Sequence, residues 1–102
     1  MNMTITNSGK SELTINGTIK SIEDSMALRE AVQKLFDSGE AFITLRIVDS
    51  FAMPSAVIGY LMKLVNRDKA RLAVICGDKR LCELLDELQL TKVFGVSYHQ
   101  FL

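Results

Sequence analysis

The chain has 102 residues, of which 48% are hydrophobic and 24% are charged. This length and balance predict one globular domain, residues 1–102, with a single core, and they exclude an intrinsically disordered chain. The 12 basic and 12 acidic residues cancel, so no net field would recruit nucleic acid or an anionic membrane. The sequence starts without the pattern of a secretory signal, and no apolar run approaches the ~20 residues that span a bilayer. We therefore expect a soluble cytoplasmic domain.

The first part of the chain predicts two strands and a helix. MTITN and SELTINGTI flank Gly9 and indicate two strands joined by a turn. Alternation in the second strand places Leu13, Ile15, Gly17 and Ile19 on one face and threonines on the other. A capping-box pattern then precedes a helix, which Gly39 ends. The pattern is Ser21 with Asp24, and the apolar stripe of the helix is Leu28, Ala31, Val32, Leu35 and Phe36.

Three more strands and two helices are predicted in the rest of the chain. The strands are FITLRIVD, with Thr44 and Arg46 opposite its apolar face, LAVICG and VFGVSY. The first of the two helices begins at Pro54-Ser55 and ends near Asn66-Arg67, and Asp78 is placed to cap the second. Their apolar stripes are Ile58, Leu61, Leu64 and Val65, and Leu81, Leu84, Leu85 and Leu88.

This order of elements predicts an α/β fold of the form ββαβαβαβ. Strands separated by helices are joined by right-handed crossovers, so the sheet should be mostly parallel from its second strand onward. The threonine faces of three strands indicate that the helices cover mainly one side of the sheet. The other side is expected to be partly hydrated or covered by a partner.

Residues that carry chemistry are sparse. His99 is the single histidine, and Cys76 and Cys82 lie in an apolar strand and beside a leucine stripe, without the spacing of a zinc site. No serine or cysteine has neighbours that would activate a nucleophile, and no glycine-rich phosphate loop is present. We therefore predict that the protein is not an enzyme and has no catalytic residues, no cofactor and no metal site.

Pro54-Ser55 leaves two interpretations open. Proline suits the first turn of a helix, where its missing N–H would have no acceptor, and Ser55 could then bond to free backbone donors. The first turn also presents unpaired N–H groups and a partial positive charge, which favour an anion. A serine there could therefore carry a phosphate. Composition alone does not separate these interpretations.

The chain resembles the STAS domains, a family that includes bacterial anti-sigma factor antagonists and the cytoplasmic domains of sulfate transporters. Five blocks agree in order over nearly the whole chain. PSAVIGYLMKL is similar to the helix start SSAGLxxLL or DSSGLGxLL of that family. The other four blocks are INGTIK, ITLRIV, LAVICG with DKRLCELLDELQL, and TKVFGV.

The resemblance implies a STAS-like domain that acts in signal transduction and transcription regulation by switching partners. In the antagonists, the serine before the small residue of this block is phosphorylated by a kinase that is also the anti-sigma factor. That serine matches Ser55, and Ala56 matches the small residue. The implied partners are an anti-sigma factor or histidine-kinase-like serine kinase, and a serine phosphatase.

The sequence departs from the family around this serine. Lys20, Arg46 and Met53 stand where the family commonly has acidic residues, and Pro54 replaces the first residue of the serine pair. We expect Met53, Pro54, Ser55, Ala56 and Tyr60 to form the partner-binding surface, with Lys20 and Arg46 nearby. The alternative is a constitutive STAS adaptor subunit that never uses phosphate. A small-ligand module at the strand ends is a third hypothesis, which the missing glycine-rich loop disfavours.

Overall fold

Residues 3–101 are described by a computed structural model of the chain. They form one five-stranded sheet in the order β1-β2-β3-β4-β5. The antiparallel pair is β1 with β2, and the other neighbours run parallel. The elements are β1 Thr4–Gly9, β2 Glu12–Asn16, α1 Ile22–Asp37, β3 Phe42–Ile47, α2 Ser55–Asn66, β4 Arg71–Cys76, α3 Lys79–Glu87 and β5 Val96–Tyr98.

The hydrophobic core lies on one side of the sheet. Alternate residues of β2, β3 and β4 are buried, and they join the apolar stripes of the three helices in one cluster. Residues that point the other way, such as Thr14, Thr44 and Arg46, stay partly exposed. The structure thus confirms the α/β class, the ββαβαβαβ order, the mostly parallel sheet and the placement of the helices on one face.

Three strands are shorter than their sequence patterns predict. β3 ends at Ile47, two residues before the end of FITLRIVD, and glycines shorten the other two. The second strand ends at Asn16, because Gly17 takes a left-handed backbone conformation with φ of 90° that turns the chain out of the sheet. Ile19 is buried as predicted, but it lies in the loop that follows the strand. The last strand begins at Val96, after Gly95, where a Cβ atom would lie 2.4 Å from the Leu72 carbonyl oxygen. Close backbone approach therefore delays this strand.

The parallel strands end at one edge of the sheet, which we call the carboxyl edge. It comprises the loops of residues 17–21, 48–54 and 77–78, together with the first turns of the three helices that these loops lead into. Such edges commonly carry the binding sites of α/β proteins. No helix within residues 3–101 is long and apolar enough to cross a membrane.

Candidate functional site

The three helix starts at the carboxyl edge differ in how their backbone donors are satisfied. At α1 the Ser21 hydroxyl accepts from the Asp24 N–H at 2.9 Å, and the Asp24 carboxylate accepts from the Ser21 N–H at 3.2 Å. At α3 the Asp78 carboxylate accepts from the Arg80 N–H at 2.8 Å. The residue before α2 is Pro54, and no side chain caps this helix. Only α2 thus starts without a side-chain acceptor among the described residues.

Ser55 is the first residue of the uncapped helix and is exposed. The Pro54 carbonyl accepts from the N–H groups of Val57 at 3.0 Å and Ile58 at 3.1 Å. The two N–H groups before these, from Ser55 and Ala56, belong to the first turn, where no intrahelical acceptor exists. Since Ser55 does not cap the helix, its hydroxyl is open to a reagent from solvent.

Ser50, in the loop before α2, has the opposite environment. Its side chain is fully buried, and its hydroxyl accepts from the Ile19 N–H at 3.1 Å while donating to the Ala52 carbonyl at 2.7 Å. The neighbouring Asp49 carboxylate accepts from the Gly17 N–H at 2.7 Å. These bonds tie the loop before α2 to the loop before α1. They hold the backbone that delivers Ser55 to the surface.

An open groove of about 540 Å³ lies beside Pro54. It lies between the loops before α1 and α2 and Leu84 of α3, and Lys20 is its positively charged residue. Phe51 is 47% exposed, with the Arg80 guanidinium 4.7 Å from its ring centroid. The lining residues are Thr18, Ile19, Lys20, Phe51, Ala52, Met53, Pro54 and Leu84. The groove offers apolar contact with one basic residue close to the start of α2.

Tyr60 lies one turn further along α2, on the side that faces α1. Its hydroxyl donates to Gln33 Oε1 at 2.6 Å, and the Arg29 guanidinium lies 5.3 Å from its ring centroid. Partial burial raises the pKa of the Tyr60 hydroxyl above its usual value. Tyr60 therefore joins the surfaces of the two helices.

The structure does not bring all seven predicted contact residues together. Met53 borders the groove beside Pro54, but it is only 4% exposed and packs in the core, so it offers almost no surface to a partner. Arg46 lies on the open face of the sheet, 3.6 Å from the Glu12 carboxylate and 4.9 Å from the Phe101 ring centroid. Odd and even positions of a strand face opposite sides, so Arg46 points away from the helices. We therefore exclude both side chains from the contact surface.

The remaining residues form what we call the Ser55 surface: Lys20, Pro54, Ser55, Ala56 and, further along α2, Tyr60. Sequence analysis missed three groups beside it, namely the Asp49-Ser50 pair, the exposed Phe51, and Arg80. Arg80 donates to both carboxylate oxygens of Asp78, at 3.0 and 2.7 Å, and this pairing holds the pKa of Asp78 below its usual value. An Asp-Ser pair at the end of a predicted strand was the available signal for a loop-fixing role.

Metal ligands are not clustered in the part of the chain that the structure describes: no three His, Cys, Asp or Glu side chains are grouped to hold an ion. The His99 ring packs edge-on against Phe101 at 4.9 Å. Cys76 is buried, and this burial raises the pKa of its thiol. The chemistry that the carboxyl edge offers is therefore an exposed hydroxyl, free backbone donors and a nearby cation.

Comparisons with known proteins support the fold. No family model and no curated protein matches the chain. Among solved structures, the chain is similar to the NMR structure of the protein TM1081, with a TM-score of 0.67 and 12% sequence identity. The match covers 92% of this chain and 78% of that one. At this identity the match shows a shared fold and says nothing about activity.

Proposed function

We propose that the protein is a cytoplasmic partner-switch regulator of the STAS type, controlled by phosphorylation of Ser55. Its partner is an anti-sigma factor or histidine-kinase-like serine kinase, and a serine phosphatase resets the switch. The observation that carries this proposal is the contrast between the exposed, non-capping Ser55 and the buried, bonded Ser50. Of these two serines in the β3–α2 region, only Ser55 is accessible to a kinase.

The phosphoryl transfer needs no catalytic group from this chain. The Ser55 Oγ forms a bond to the γ-phosphorus of ATP as the bond to the β-γ bridging oxygen breaks. ADP leaves, and a base of the kinase takes the hydroxyl proton. The phosphatase then transfers the phosphoryl group to water and restores the hydroxyl.

Small side chains at the start of α2 allow a partner to approach closely. Ser55, Ala56 and Gly59 are exposed, and Lys63 is the one charged residue of this helix. A surface of small, uncharged residues can pack closely against a partner when water is excluded from the interface. A phosphate adds about −1.5 to −2 charges, which a closed interface must desolvate. Phosphorylation would therefore eject the partner.

A constitutive STAS adaptor is the alternative. The observation that favours it is the location of Lys20 beside Pro54, where the family that the sequence resembles has an acidic residue. In such an adaptor Ser55 would be a contact residue in all conditions, and its hydroxyl would never carry phosphate.

The test uses the histidine-kinase-like ATPases encoded in the same genome, each purified and mixed with this protein and ATP. We expect one of them to bind the unmodified protein and to add one phosphate, mapped to Ser55 by mass spectrometry. Ser55→Ala should bind without being modified, and Ser55→Asp should not bind. Ser97→Asp, the same change at an exposed serine of β5 beside Arg46 on the open face of the sheet, should bind normally.

Three outcomes would contradict parts of the proposal. Phosphate on Ser50 would contradict the choice of residue. Binding that survives Ser55→Asp, with no phosphate added, would favour the constitutive adaptor. No binding to any of the kinases would refute the switch.

A further inference from the structure

Strand β1 is an edge of the sheet that carries little protection against pairing. It hydrogen-bonds only to β2 among the described residues, so alternate N–H and C=O groups along Thr4–Gly9 point away from the sheet. Natural edge strands are usually shielded by charged side chains, proline or a bulge. TITNSG has no charge and no proline, and its register shift lies at the far end, between Asn7 and Gly9. The segment Thr4–Asn7 is therefore open to a further strand.

A groove beside this edge gives an added strand somewhere to place its side chains. It is an open volume of about 830 Å³ between β1 and α1, on the side of α1 away from Tyr60. Its apolar lining comes from Ile5 of the strand and from residues one and two turns apart on the helix. These helix residues are Ala27, Ala31 and Leu35.

The rim of the groove carries one charge of each sign. Glu30 and Lys34 are both exposed on α1, and neither forms an ion pair within 4.0 Å among the described residues. They are one helical turn apart. Two antiparallel copies of α1 would therefore set Glu30 of each copy opposite Lys34 of the other. A surface with this property is complementary to itself under a two-fold axis.

We propose that β1 and the adjoining groove form a homodimer interface, in which β1 pairs antiparallel with β1 of a second copy. The axis passes near Thr6, so the two sheets become one ten-stranded sheet with all helices on one side. Ile5 then lies opposite the partner's Asn7 and diagonal to the partner's Ile5, and both Ile5 side chains line the joined grooves. Glu30 pairs with the partner's Lys34 at both ends.

The charges of Glu30 and Lys34 at the rim of the groove favour a second copy of the chain, and not an unrelated strand, as the partner of β1. Strand addition through backbone bonds accepts many sequences. An unrelated peptide would match one Glu-Lys pair by chance, whereas a second copy matches it twice by symmetry. The interface leaves the start of α2 free. Glu30 also borders a pocket that Tyr60 lines, whereas Lys34 does not, so Lys34→Glu is the reversal that leaves the Ser55 surface unchanged. This inference therefore stands or fails independently of the proposed switch.

Charge reversal at the rim tests the interface. Sedimentation velocity over a concentration series should show the parent protein dimerising. Glu30→Lys or Lys34→Glu alone should weaken the dimer by roughly tenfold, because each change creates two like-charge contacts. The double variant Glu30→Lys/Lys34→Glu should restore the parent dissociation constant. Lys92→Glu, an exposed reversal outside the groove, should leave the dimer unchanged. All three changed residues are exposed, and thermal melts should confirm that the four variants fold.

Hydrogen exchange tests the strand pairing. Amides of residues 4–7 that point away from β2 should be protected above the dissociation constant and should exchange freely below it. A protein that stays monomeric at every concentration would overturn the proposal. The proposal would also be overturned by a dimer whose dissociation constant is unchanged in both single-reversal variants, or by a dimer in which the β1 amides stay unprotected.

Discussion

The first turns of α1 and α2 lie at the same edge of the sheet and are built in opposite ways. At α1, Ser21 and Asp24 exchange hydrogen bonds with the backbone and close the helix start. At α2, Pro54 has no side-chain donor or acceptor, and Ser55 is exposed and caps nothing. Both sequences place a serine at a helix start. Only one of the two serines is used to stabilise its helix.

The difference separates a structural serine from a candidate modification site. An N-cap side chain stabilises a helix by about 1 kcal/mol, so leaving α2 uncapped gives up stability that a Ser or Asp at position 54 would supply. The uncapped start keeps two backbone donors and a hydroxyl free for an incoming group. The loop before α2 is instead held in place by the hydrogen bonds that Asp49 and Ser50 accept from the loop before α1.

The largest expected effect comes from removing the tie between the two loops. Ser50→Ala leaves the buried Ile19 N–H without its acceptor, which should lower the free energy of unfolding by about 1–3 kcal/mol. Ser55→Ala removes an exposed hydroxyl and should change it by less than about 0.5 kcal/mol. Chemical denaturation of both variants measures the two values. Equal effects would show that the burial contrast between these serines has no energetic meaning.

Local patterns predicted the helix starts because caps depend on residues close in sequence. The structure confirms three predicted helix starts. These are the capping box of Ser21 with Asp24, the cap Asp78, and the beginning of α2 at Pro54-Ser55. The alternation of β3 also placed Arg46 on the face opposite the core. Helix caps and strand alternation can be recognised from residues that are two to four positions apart in the sequence.

The candidate site depends on contacts that no local pattern contains. The bond between Ser50 and Ile19 joins residues 31 apart, and it exists because parallel strands bring separate loops to one edge. The loop that contains Met53 and Pro54 has no regular alternation of apolar and polar residues. Its sequence therefore did not indicate that Met53 is buried. Gly17 and Gly95 ended or delayed strands through backbone conformation and close approach, which the alternation of side chains does not report.

An intermediate effect is expected at α1. Ser21→Ala removes the acceptor of the Asp24 N–H and should destabilise the protein by about 1 kcal/mol, compared with the small effect of Ser55→Ala. The same change should raise the pKa of Asp24. Hydrogen bonds from the backbone N–H groups of Ser21 and Lys20 hold this pKa below its usual value, and the Ser21 hydroxyl adds a smaller contribution.

The pH dependence follows from the direction of that pKa. Because the folded-state pKa of Asp24 is lowered, its contribution to stability is present above its unfolded pKa and is lost as the pH falls through the folded value. Ser21→Ala should therefore lose less stability on acidification than the parent does. Carboxyl titration by NMR and denaturation at several acidic pH values measure both quantities. An unchanged Asp24 pKa in Ser21→Ala would contradict the role of this hydroxyl.

The smallest expected effect concerns how Ser55 senses charge. An aspartate at position 55 should gain about 0.3–1 kcal/mol from the free donors of α2. Lys20 lies in the groove beside Pro54 and should add a few tenths of a kcal/mol, an amount that solvent exposure keeps small. The charge of Lys20 also makes a small contribution to lowering the pKa of Asp24. Arg46, which faces the other side of the sheet beside Glu12 and Phe101, should add nothing.

Arg46 therefore provides a matched control for Lys20. The stability difference between Ser55→Asp and Ser55→Ala is measured in the parent, in a Lys20→Ala background and in an Arg46→Ala background, at low and high salt. Lys20→Ala should reduce the difference by a few tenths of a kcal/mol at low salt, and high salt should remove that reduction because it screens exposed charges. Arg46→Ala should leave the difference as it is. If both backgrounds behave alike, the start of α2 does not sense Lys20, and a phosphate on Ser55 would be held by the helix donors alone.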